Sequence, residues 1–289
     1  MNNRYETRFD TFKKRIKLPG SLFGFVPGFV VRNKIRNLDP IEDERQHFRL
    51  THETLYSNQL MAKAFPGVIF AVAATIPSIA EKLDNASPTN VTNDAKKRNA
   101  KMMHSFGRTI DENQNISDKE SKRLGKIHAA MNLKPDDMQF VIDLMSITER
   151  KMLAKFGSPE MEPHFQEAII NRWTTLGEKM GVPKNDRTAQ EIEQSVDDYI
   201  RDNGDYTQAG HNVAVALLED FANSFSRPRL QNVASEFFLS MLNGNVRRTL
   251  DLKEPTKTGK IAAKIVNRAY IASTPLRFVR TKPWTDFQP

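Results

Sequence analysis

The chain has 289 residues, 39% of them apolar and 27% charged, the balance of a soluble globular protein with room for one large domain or two ordinary ones. It contains no cysteine, which excludes a disulfide framework, thiolate-bound iron–sulfur clusters and a cysteine nucleophile, and leaves His, carboxylates, Lys and Met as metal ligands. The net charge of +8 is drawn from both ends of the chain, but no aromatic–basic interleaving or helix-turn-helix spacing supports nucleic-acid binding, and a solvated basic face is the plainer reading.

The N-terminus, MNNRYETRFDTFKKRIK, lacks the apolar core of a signal peptide. The stretch LPGSLFGFVPGFV holds three glycines and two prolines, so residues 1–36 are expected to be an irregular wrap. Asp39 followed by Pro40 suits the start of a helix over DPIEDERQHFRLTHETLYSNQLMAKAF. Pro66 is expected to break the pattern before a helical segment at 68–83. The surrounding run AFPGVIFAVAATIPSIA reads as a buried helix, because a membrane span needs about 20 mostly apolar residues. DAKKRNAKMMHSF follows, capped by Asn93 or Asp94. Ser117 and Glu120 have the spacing of a capping box ahead of KRLGKIHAAMNL, and Pro135 opens the next helix. Gly157 is expected to end that one, and Gly181-Val-Pro183 to stop PHFQEAIINRWTTLGEKM. Thr188 and Glu191 form a second capping box. TQAGHNVAVALLEDFANSF and RPRLQNVASEFFLSMLNGNVRRTL complete the larger helices, before KIAAKIVNRAYI and a proline-containing tail. No alternating strand pattern and no fixed-period repeat is evident. The expected fold is all-α, a single globular multi-helix domain with globin-like packing.

Most familiar catalytic signatures are missing: there is no G-x-G-x-x-G, no Walker-type loop, no G-x-S-x-G and no H-E-x-x-H. Gly20, Gly24 and Gly28 lack a following helix start, and His47 and His52 miss the i, i+4 chelating geometry. His164 reads as exposed near a helix start, and His211 lies near a helix N-terminus, where the backbone field disfavours a charged imidazole. His128 differs, because Leu124, Ile127 and Met131 form an apolar stripe at helical spacing with His128 inside it, followed by the small Ala129 and Ala130. It is either a core histidine with a hydrogen-bond partner or a ligand for something buried. Arg98 and Lys101, at i, i+3, share a face that Met102 extends; they form a surface basic edge or, turned inward, a site for an anion.

The order of several segments resembles the MpaB-type oxygenases, which include the latex-clearing rubber oxygenases. RNLDPIEDERQHFRL is similar to that family's opening segment, and IPSIAEKL is followed by an Arg-x-x-Lys helix. RLGKIHAAMNLKPDDMQFVI resembles its Ile-His segment, and the stretch ending in MGVP its Met-Gly-[Ile/Val]-Pro turn. HNVAVALLEDF and LNGNVRRTLDLKEP resemble its C-terminal pattern. The likeness spans roughly 37–255. It implies a helical domain enclosing a non-covalent haem b, with His128 as proximal iron ligand and Arg98 and Lys101 lining the distal side. Met102 stands where the rubber oxygenases have Thr, a thioether that can itself ligate iron, and Glu81 is the nearest match to their distal glutamate. The residues at 256–289 would add a basic helix and tail packed on the same domain. The implied function is a haem-dependent oxygenase that activates O2 to oxidise or cleave an unsaturated, isoprenoid-like substrate, in the cytoplasm with peripheral membrane contact. The alternative is a non-enzymatic haem- or lipid-binding protein held at membranes by its basic, apolar C-terminal region. A helical interaction module without a cofactor is the third.

Overall fold

Helical caps and apolar faces written into the chain produce, in the computed structural model, the helices α1 (Gly28–Arg36), α2 (Gln59–Ala73), α3 (Pro77–Asn85), α4 (Asp118–Ala130), α5 (Pro135–Lys155), α6 (Pro163–Met180), α7 (Ala189–Asn203), α8 (Gln208–Asn223), α9 (Pro228–Met241), α10 (Gly244–Thr249) and α11 (Lys257–Ser273). Two short strands, β1 (Phe25–Pro27) and β2 (Phe278–Arg280), pair antiparallel with Val26 opposite Val279. The structure describes residues 25–39, 42–43, 59–85, 90–98, 101, 105, 116–155, 163–183, 186–273, 276 and 278–280. The architecture is all-α but for that ribbon, and it packs as one globular domain. The expected stop at Gly157 lies outside the described residues, as do His47, His52, Met102 and His104.

The core is built on α2. Its Ala64, Phe65, Val68, Ile69, Ala71 and Ala73 are buried, enclosed by α5, α8 and α9. No helix among the described residues is long and apolar enough to cross a membrane. Helix α2 runs through Pro66, where a break was expected. Proline removes one backbone donor, and here the burial of its neighbours on all sides outweighs that loss. The chain turns later, where Thr75 and Ile76 donate to the carbonyls of Val72 and Ala73 (both 3.1 Å), and Pro77 then opens α3. Beyond α2 the packing passes from α5 to α6 and α7, and from α8 to α3 and α9, with α11 laid along α9 and α4 along α6.

Several caps match expectation. Asp94, not Asn93, starts the stretch at 95–98, its Oδ1 accepting from the Lys97 N–H at 2.9 Å. Asp39 accepts from the Glu42 N–H at 2.8 Å across a turn at 42–43, while the start of the helix expected to follow it lies outside the described residues. Thr188 and Glu191 make a complete capping box. Ser117 makes only half of one, because the buried Glu120 side chain turns to Arg123 instead of back to the cap. Gly181 closes α6 at φ 95°, with Val182 N–H donating to Gly177 O at 2.9 Å and Gly181 N–H to Glu178 O at 3.0 Å. An added Cβ at Gly181 would meet nothing within 4 Å, so Gly181→Ala tests backbone strain alone. Its expected cost is about 1 kcal/mol, read from the denaturant midpoint, with Gly181→Asn losing less.

Two further expectations are corrected. Residues 28–36 form helix α1 rather than irregular chain, because Val31 and Ile35, one turn apart, are both buried. The segment from 228 to 250 is two helices, not one. Asn243 interrupts it and caps α10 by accepting from the Val246 N–H at 2.8 Å.

Candidate functional site

His128 is brought to a partly enclosed position by α4, and what it meets there depends on how that helix docks. Gly125 allows α4 to approach the end of α6 closely; a Cβ there would lie 3.1 Å from the Met180 carbonyl oxygen. The buried side chains of α4 are Glu120 and Ser121, while Leu124, His128 and Met131 are half-buried and Ile127 is 38% exposed. The expected apolar stripe therefore borders the core without joining it. Ala129 and Ala130 are exposed, and Ala130 sits about 200° around the helix from His128, so the pair does not flank the imidazole as expected.

The second element is the stretch at 95–98. Its Val91 and Ala95 anchors are buried, and Val91 N–H donates to Leu83 O at 3.0 Å. Arg98, three residues after Ala95, follows it inward. Its guanidinium carbon lies 5.8 Å from the centre of the Phe70 ring on α2, a cation–π approach. Lys101 is exposed, so the expected inward pair of cations is reduced to Arg98. Glu81 is also exposed, on a helix whose buried positions are Ile79, Ala80 and Leu83, and it engages neither Arg98 nor His128.

The electrostatics single out this pair. Burial, reinforced by the nearby Arg98 charge, holds His128 down at about 4, so the imidazole is neutral at physiological pH. Burial likewise pulls Arg98 below its ordinary value, though a guanidinium remains charged there. The Nδ1 of His128 and the Nε of Arg98 are buried and have no hydrogen-bond partner among the described residues. Buried polar groups are rarely left so, and each exception calls for an explanation.

The contrast with other buried polar residues is informative. Asp137 accepts from Ser78 Oγ and Tyr199 Oη, both at 2.8 Å, and this bond, after burial, pushes the Tyr199 phenol up. Asp143 accepts from Gln139 at 2.8 Å and pairs with Arg187 at 2.6 Å. His211, the other histidine whose side chain is described, places Nδ1 2.8 Å from Leu250 O and is a satisfied structural residue. Sequence spacing did not distinguish these groups, because all but one of these partners (Gln139, one turn from Asp143) lie tens of residues away. Phe70 was missed for the same reason.

A group filling this position must offer an acceptor to Arg98 and bind a neutral imidazole nitrogen. Among the described residues no three of His, Cys, Asp and Glu converge as a metal cage. Haem asks for less: one protein nitrogen, cations for its propionates and apolar walls. His128, Arg98 and the half-buried Leu124 and Met131 fit that donor set. Compared with protein-family models and with curated protein sequences, the chain matches none, and the chemistry of the site is carried by its own residues.

Proposed function

We propose that this chain binds haem b through His128 and acts as a haem-dependent oxygenase on an unsaturated, apolar, isoprenoid-like substrate. One observation carries the binding half: a neutral imidazole and a guanidinium lie close together, each with a buried nitrogen that no group among the described residues satisfies. The reaction class rests on the resemblance of the ordered segments to the MpaB-type oxygenases.

His128 is suited to ligation because its lone pair is available without displacing a proton at neutral pH. Arg98, held over Phe70 and with no carboxylate partner among the described residues, suits a propionate, whose planar oxygens match a guanidinium. Haem bound here would supply the redox-active iron that oxygen chemistry requires. Around it, Leu124 and Met131 contribute apolar surface that excludes water, and Lys101 adds positive charge nearer to solvent. Glu81, exposed on α3, has no part in this assignment.

The test is a hemin titration of the purified full chain followed by absorption. The expected result is a Soret band shifted from that of free hemin, reaching a sharp equivalence point. Hemin that keeps its free spectrum in the presence of the protein would overturn the proposal and leave His128 a buried structural histidine.

A further inference from the structure

Glu254 and Asp286 bracket 31 residues that contain seven Lys or Arg and no Asp or Glu. Helix α11 occupies the middle of this stretch, and its docking determines which side meets solvent. Glu236 on α9 caps its start, accepting from the Thr256 N–H at 2.7 Å and from its Oγ1 at 3.1 Å. Gly259 and Ala263 are buried beneath the helix, and a Cβ at Gly259 would collide with Glu236. The anchored side of α11 is thus made of small residues pressed onto α9.

The opposite side is both basic and apolar. Lys257, Ile261, Lys264, Ile265 and Arg268 follow at i, i+4, i+7, i+8 and i+11, one continuous stripe, and all are exposed. Ile261 is 61% and Ile265 62% exposed. Just beyond the helix Leu276 is 78% exposed, and the pairing of Pro27 with Phe278 brings the chain at Phe29, itself 53% exposed, to the same end of the ribbon. Scattered single apolar residues are ordinary on surfaces, but among the described residues five of the nine large exposed apolar ones belong to these adjoining segments (Phe29, Ile261, Ile265, Val266 and Leu276).

We infer that the outward face of α11 is a docking surface for an anionic lipid bilayer, with Ile261 and Ile265 entering the headgroup–acyl boundary and Lys257, Lys264 and Arg268 meeting acidic headgroups. A helix that lies in an interface needs this combination: apolar side chains to bury and cations around them. A purely polyanionic partner such as nucleic acid would use the cations and leave the isoleucines in water, and the stripe offers no aromatic ring for base stacking. A second copy of the chain docked stripe to stripe would bring like charges together. Lys260, off the stripe's centre, is engaged with Glu254 at 3.6 Å. The inference does not rest on the haem proposal, since its argument uses neither Arg98 nor His128.

Co-flotation of the full chain with phosphatidylcholine vesicles, with and without phosphatidylserine, tests it. The wild-type chain is expected to float only with the serine-containing vesicles, and to do so less as salt rises from about 0.05 M to about 0.5 M. Ile261→Ser with Ile265→Ser is expected to lower binding about tenfold, and Lys264→Glu with Arg268→Glu to reduce it to background. These positions are exposed, so an unchanged melting temperature and far-UV circular dichroism spectrum serve as folding controls. A wild-type chain that ignores anionic vesicles overturns the inference. So does a double serine variant that binds as well as wild type, which would assign the stripe to charge alone. So does a dimer that forms without vesicles and is lost in the serine variant, which would assign the face to a second copy.

Discussion

Replacing His128 with alanine is expected to give a chain that shows no shifted Soret band with hemin and that no longer loses stability as the pH falls from about 6.5 to about 4. The first effect follows from removing the one described imidazole with an unpartnered buried nitrogen. His211→Ala is the matching control: it breaks a bond to Leu250 O but leaves the haem spectrum intact. The second effect concerns the haem-free protein. Above about pH 6.5 His128 is neutral both folded and unfolded and contributes no pH dependence. Between about 6.5 and about 4 the unfolded chain takes up a proton that the fold refuses, so stability falls with pH across this window. Below it both states are protonated and the loss is complete, on the order of 3 kcal/mol, reduced by solvent at the half-exposed edge of the ring. His128→Ala removes this dependence. At pH 7 it sacrifices packing but no hydrogen bond of Nδ1, so denaturant midpoints of wild type and variant should lie close at pH 7 and diverge towards pH 4.5, where the variant is the more stable. Parallel curves at both pH values would contradict the neutral, buried assignment.

Arg247→Ala is expected to destabilise the fold by about 3 kcal/mol, a fall of about 6 °C in Tm. Helix α9 ends at Met241 and the chain leaves at Leu242 in an extended conformation, so its last carbonyls need donors from elsewhere. Arg247, 8% exposed at its side chain, supplies them: Nη1 donates to Leu239 O at 2.9 Å and also to Leu242 O. Its remaining edge is bidentate to Glu254, Nε to Oε1 at 3.1 Å and Nη2 to Oε2 at 2.7 Å, which holds that carboxyl below its usual range. Alanine would withdraw one buried guanidinium from two buried carbonyls and from Glu254 together, which costs more than one ordinary hydrogen bond. Lysine should recover only part, because one ammonium cannot reproduce a planar fork. Arg248→Ala, at an exposed position bonded to Asn245, should stay within about 0.5 kcal/mol of wild type. Equal midpoints for the two alanine variants would show that Arg247 does not secure this helix end.

The errors of sequence reasoning have a common origin. Pro66 is a helix breaker in isolation, yet α2 continues through it because α5, α8 and α9 enclose the segment. Val31 and Ile35 carry a helical spacing that the neighbouring glycines and prolines obscured. Asn243-Gly244 is a turn signal inside an apolar run, and it divided what was expected to be one helix. The stripe of Leu124, Ile127 and Met131 was correctly helical but wrongly assigned to the core, since periodicity shows that residues share a face and not what that face meets.

What the sequence determined by itself is local: an all-α chain, a buried α2, the caps at Asp94 and Thr188, and the glycine stop at Gly181. Each depends on residues within one or two turns, whose hydrogen bonds are decided by spacing and side-chain chemistry. Only the tertiary structure decided that Arg98 turns inward while Lys101 stays in solvent, and that His211 finds a carbonyl while His128 does not. It also decided that α11 spends its small residues on α9 and leaves its isoleucines and cations outside. Those outcomes depend on which helices meet, and a partner 30 or 40 residues away leaves no mark in the spacing around the residue it satisfies.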